Sequence, residues 1–224
     1  MRRRQGVAVY TIVVMALLLS GCPLQPPGGG GGRLVYAGPT EVRLRAGETL
    51  APTDIVFVGV TDGRGQFVID GMRATRQIGD SLDWDGEPLP GVRLSLRLRV
   101  VWYPGQEAQL AGTVRLEIDG AQAVAGAVDE EAPVRYRVPV TYRVARGATI
   151  PGTTVIYNGE SDRGAELLGL NEYPYRKIAD SILWEGFLRP DVGLSVNLRV
   201  AYFNANSLEV AGVATVVLHT GGGR

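Results

Sequence analysis

The chain of 224 residues holds one cysteine and one histidine. A disulfide framework needs paired thiols, so Cys22 alone cannot staple the fold, and a hydrophobic core must hold it together. Transition-metal centres built on His and Cys are excluded on the same count. His219, the single possible imidazole base, stands with no marked nucleophile beside it and reads as an edge-strand histidine rather than part of a Ser-His-Asp arrangement. Charge of one sign is also lacking: 23 basic residues balance 23 acidic ones. No basic footprint exists for nucleic acid and no polybasic patch for anionic lipid. No glycine-rich phosphate loop follows a strand and opens a helix, since Gly63 and Gly65 sit in a turn. No stretch beyond the N-terminus carries a helical period.

What is present begins at the N-terminus. Arg2, Arg3 and Arg4 precede about 13 apolar or near-apolar residues over 7–19, the layout of a secretory signal. That run is shorter than the roughly 20 residues needed to span a bilayer. It closes on Leu19-Ser20-Gly21-Cys22, with no A-x-A-like site in view. This segment resembles the lipobox of bacterial lipoproteins, in which a diacylglyceryl group is attached to the cysteine and cleavage occurs just before it. The resemblance covers these first residues alone. It implies a signal peptide over 1–21, lipidation at Cys22 and an extracytoplasmic protein held to a bacterial membrane, inner or outer, by its covalent lipid. Loss of the leader removes three arginines and no acid, leaving 20 basic against 23 acidic residues. Residues 22–33, with Pro23, Pro26, Pro27 and the glycines at 28–32, bury little apolar surface and read as a tether.

Self-similarity is the strongest signal in the rest. Sliding the chain by 100 residues aligns 34–118 with 134–218 without a gap, and roughly a quarter of the positions are identical. Asp80-Ser81-Leu82-Asp83-Trp84-Asp85-Gly86 lies over Asp180-Ser181-Ile182-Leu183-Trp184-Glu185-Gly186. Residues 92–102 alternate apolar and polar with period two, as do 192–202, and turn residues separate successive runs. Six to seven short strands in about 85 residues predict an all-β chain of two tandem repeats, each an immunoglobulin-like antiparallel β-sandwich, with a small β-barrel as the alternative. The expected division is repeat one over 34–118, a linker over 119–133, repeat two over 134–219 and a tail over 220–224.

Candidate sites are few. Asp80, Asp83 and Asp85 offer three carboxylates within six residues and are weak candidates for calcium. Asp83 becomes Leu183 in the second copy. The plainer expectation is structural: Asp80 and Asp180 bond a turn backbone, Gly86 and Gly186 close hairpins, and Trp84 and Trp184 pack against the core. Arg93, Arg97, Arg99 and Arg115 should share a solvent face, open to an anionic polymer or paired with Glu117. Tyr173-Pro174-Tyr175 suits sugar stacking or a packed loop. No cofactor is expected. The sequence points to a non-enzymatic binding or cell-envelope module with a protein or carbohydrate ligand. The competing reading is a secreted hydrolase accessory or catalytic module, which would require two acids facing across a cleft.

Overall fold

In the computed structural model, residues 32–129, 132 and 134–220 are described. Cys22 and the leader lie outside them. Among the described residues there is no helix, and the strands form several antiparallel sheets with no closed barrel. Repeat one contains β1 (Leu34–Arg45), β2 (Val56–Thr61), β3 (Arg64–Ile69), β4 (Met72–Arg76), β5 (Ser81–Leu89), β6 (Val92–Trp102) and β7 (Glu107–Ile118). A short strand, β8 (Val124–Ala125), follows. Repeat two contains β9 (Arg135–Ala145), β10 (Ile156–Ser161), β11 (Gly164–Leu168), β12 (Tyr175–Arg176), β13 (Ser181–Arg189), β14 (Val192–Asn204) and β15 (Ser207–Leu218).

Each repeat packs a larger sheet against a smaller one. The orders are β1-β7-β6-β5 with β2-β3-β4, and β8-β13-β14-β15-β9 with β10-β11-β12. The sandwich is the expected one: the chain crosses from one sheet to the other between β1 and β2 and again between β4 and β5, and β7 returns to lie beside β1, with the same crossings in repeat two. Alternation drives the assembly. Val92, Leu94, Leu96, Leu98 and Val100 of β6 are buried, while Arg93, Arg97 and Arg99 face solvent. Ser81 pairs with Arg99 and Ser181 with Arg199, so the offset of 100 seen in the sequence is also the offset of the ladders.

Irregularities repeat as well. The ladder shifts register between Val100 and Trp102 and again between Val200 and Tyr202. This extra residue ends the strict alternation expected through residue 102: Trp102 is 61 % and Tyr202 47 % exposed, instead of continuing the buried face. Thr53 and Thr153 each donate to the carbonyl three residues back and accept from the N–H two residues on, which pins the bend before β2 and β10.

The modules meet along β1 and β9. The Tyr136 hydroxyl donates to the Ala51 carbonyl across the seam at 3.3 Å. The Tyr36 hydroxyl lies sealed near Gly152 and Tyr142, with no hydrogen-bond partner of acceptable geometry. Gly38 packs on Pro139. Pro39 and Pro139, at equivalent places, lack an N–H and are tolerated because both strands are sheet edges. The two edges therefore pack through side chains, and one hydrophobic core runs through both repeats.

Residues 119–129 do not simply span the gap. The Gln122 N–H donates to the Leu188 carbonyl and the Gly126 N–H to that of Glu185, while β8 pairs with Gly186 and Phe187. Val128 then covers Gly193 and joins Ala132 and Val217 in a small separate apolar cluster.

Candidate functional site

The shared motif stands on β5 and β13. Asp80 accepts the Gln77 N–H at 2.8 Å and Asp180 accepts that of Lys177 at 2.6 Å, so both carboxylates close the turn ahead of their strand. Trp184 is buried, and its indole N–H donates to Thr154 Oγ1 at 2.8 Å. Trp84 is half-buried against the core. Each ring lies flat over the glycine two residues on: a Cβ on Gly86 would come within 2.2 Å of Trp84, and one on Gly186 within 2.5 Å of Trp184. The glycines leave room for indoles.

The Arg97 guanidinium donates to both Asp85 carboxylate oxygens, at 2.8 and 2.9 Å, and with a bond from Ser95 it holds the carboxyl below the usual range. Asp83 is exposed beside it on the same face of β5. Among the described residues, no group of three or more His, Cys, Asp or Glu side chains is arranged to hold a metal. His219, just past β15, lies 6.2 Å from the Phe187 ring.

The arginines of repeat one do share a face. Glu117 is bracketed by Arg93 at 3.0 Å and Arg115 at 2.9 Å, and these two guanidinium groups lower its pKa. Arg99 donates to the Gly79 carbonyl. This face is a cross-strand ion network rather than a row of free cations.

The second module carries tyrosines where the first has Arg73 and Thr75. An open groove of about 540 Å³ runs between β12 and β13, lined by Arg163, Glu172, Tyr173, Tyr175, Lys177, Asp180, Ser181 and Leu183. Tyr173 is 60 % and Leu183 57 % exposed. The Tyr173 and Tyr175 rings meet edge to face at 5.5 Å, and the Arg163 guanidinium sits 3.9 Å above the Tyr175 ring. Arg176 is the strut beneath them. Buried under the groove, it donates to the carbonyls of Ser181, Tyr173 and Tyr175 and pairs with Glu172. Arg76 makes the equivalent bond to the Ser81 carbonyl in repeat one. Sequence reasoning singled out Tyr173 and Tyr175 but missed Arg163, Arg176 and Leu183. The signal for Arg176 was the identity of Arg76 and Arg176 at the 100-residue offset.

No protein-family model matches the chain, and no curated protein or solved structure is similar to it at a significant level.

A second hollow, of about 490 Å³, lies where residues 120–124 meet the β13–β14 turn. Arg189 at its rim is held by Asp191 and by the Asp119 carbonyl, and the hollow forms part of the seam on which the linker docks.

Proposed function

We propose that this chain is a lipid-anchored extracytoplasmic protein whose two β-sandwich modules hold a ligand at the cell envelope without transforming it. The N-terminal Leu19-Ser20-Gly21-Cys22 segment supports the anchor, and the groove over β12 and β13 is the observation that carries the binding role. Its acidic groups are committed to structure: Glu172 pairs with Arg176, and Asp180 caps the Lys177 N–H. A hydrolase would need a pair of carboxylates free to trade protons across the groove. The exposed aromatic and apolar side chains on a braced backbone instead suit recognition.

Metabolic labelling of the expressing bacterium with a fatty-acid analogue tests the anchor. The full-length protein should take up label and sediment with membranes, and Cys22→Ser should abolish both. Undiminished labelling of that variant would remove the lipoprotein reading.

A further inference from the structure

We propose that the groove between β12 and β13 is a saccharide site, in which Tyr173 and Leu183 receive the apolar face of an uncharged sugar ring. The proposal rests on the reading of this chain as a binding protein and names the ligand class.

The two repeats supply the argument. They share the strands of the main sheet, the bulge after Val100 or Val200 and the ladder registers around it, so differences between them are meaningful where they gather; one is that β4 runs over five residues and β12 over two. At three matched positions repeat one has the exposed Arg73, Thr75 and Asp83, and repeat two has the exposed Tyr173 and Leu183 and the half-buried Tyr175. All three replacements line one groove. Nothing in the core asks for them: Tyr173 and Leu183 remain mostly exposed. A polar surface has been exchanged for an apolar platform that a ligand can cover.

The chemistry around the platform selects among ligands. A sugar ring has an apolar C–H face and a rim of hydroxyls. Tyrosine offers a flat, amphipathic surface to the first, and Ser181 and Lys177 stand at the border to bond the second. Arg163 is engaged with Tyr175, and Arg176 with Glu172 and three carbonyls. An anionic polymer would find few uncommitted cations there. An extended peptide would seek a sheet edge to pair with, but β12 has only two residues and follows Pro174, which has no N–H to donate. Because Arg176 fixes the carbonyls of Tyr173, Tyr175 and Ser181, the platform is set before the ligand arrives, which lowers the entropic cost of binding.

The test uses the full-length protein in mild detergent, titrated by calorimetry with tetrasaccharides of β-1,4-linked N-acetylglucosamine, β-1,4-linked glucose and α-1,4-linked glucose. At least one should bind, and Tyr173→Ala should weaken it by about tenfold or more, whereas Arg73→Ala should leave it unchanged. A second variant, Tyr173→Arg with Tyr175→Thr and Leu183→Asp, carries the three side chains of repeat one and should retain the β-sheet circular dichroism while losing the sugar. Absence of heat with all three sugars at about 10 mM, where millimolar affinity is still measurable, would overturn the proposal. Binding that survives the triple replacement, or displacement of the sugar by an extended peptide, would do the same. Fatty-acid labelling at Cys22 is read separately, so failure of the sugar site leaves the anchor intact and failure of the anchor leaves the sugar site intact.

Discussion

Gly112 stands so close to Arg97 across the β6–β7 ladder that a Cβ on it would lie 1.9 Å from the Arg97 carbonyl oxygen. Gly212 repeats the relationship against Asn197 at 2.1 Å. The obstacle is backbone, which cannot swing aside as a side chain can. Gly112→Ala must therefore push β6 and β7 apart at a site flanked by the buried Leu110 and Val114. A loss of about 2 kcal/mol or more is expected, the scale of forced overpacking. Gly212→Ala should cost a similar amount. Urea unfolding of each variant measures it, and an unchanged midpoint would show that the ladder spreads freely.

The two tryptophans should differ. Trp184 is 6 % exposed and bonded to Thr154, whereas Trp84 is only half-buried, and the residue at the position equivalent to Thr154 is Asp54. Trp184→Ala should cost about 3–5 kcal/mol and Trp84→Ala distinctly less. Trp184→Phe keeps most of the apolar area and loses the indole bond, for about 1 kcal/mol. Equal losses at Trp84 and Trp184, measured by urea unfolding, would contradict the difference in burial.

Strand type, repeat offset and core alternation were legible because period two is a local property of the chain. The run from Val92 to Val100 names its own buried face. The pairing of β1 with β7 was not legible, because a strand's pattern tells which face is buried but not which neighbour it pairs with. The exposure of Trp102 escaped for a related reason: one extra residue in the ladder reverses the face of everything beyond it. At the groove, the tyrosines could be read from composition. Arg176 could not, since an arginine buried by donating to three carbonyls looks in sequence like any surface cation. The docking of Val128 on Gly193 depends on two segments about 65 residues apart, which no local pattern connects.

Replacing the hydroxyls at the module seam should give unequal results. Tyr136→Phe removes a bond to Ala51 and should cost about 0.5–1.5 kcal/mol. Tyr36→Phe removes a sealed hydroxyl that meets only the Tyr142 hydroxyl and makes no well-formed bond, so it should be close to neutral. Burial pushes the Tyr36, Tyr136 and Tyr142 hydroxyls well above their ordinary pKa. A group raised in the folded state contributes stability that is complete below its unfolded pKa, about 10 for tyrosine, and that is lost as pH rises beyond it. The melting temperature should therefore fall between about pH 9 and pH 11, and Tyr36→Phe should reduce that fall. A fall of the same size in the variant would mean that Tyr36 ionises no less readily than an exposed tyrosine.

Gly193 decides how the linker rides on the second module. In repeat one the equivalent residue is Arg93, which pairs with Glu117 and Asp119 over the outer face of the sheet. In repeat two Glu117 is matched by Val217, and the missing side chain at Gly193 makes room for Val128, whose Cγ1 would lie 2.7 Å from any Cβ placed there. An ion pair on one module has thus been exchanged for an apolar contact that fastens the linker on the other. Gly193→Arg reverses half of the exchange: it expels Val128 and finds no carboxylate at 217. Local opening of residues 126–129 should become easier while the main core, which does not include Val128, stays closed. Limited proteolysis should cut that segment about tenfold faster, since cleavage follows the population of the open form, with only a small drop in melting temperature. The double variant Gly193→Arg, Val217→Glu should restore the ion pair and the melting temperature yet leave the linker just as cleavable. Protection equal to that of the unmodified protein in either variant would show that Val128 does not hold the linker in place.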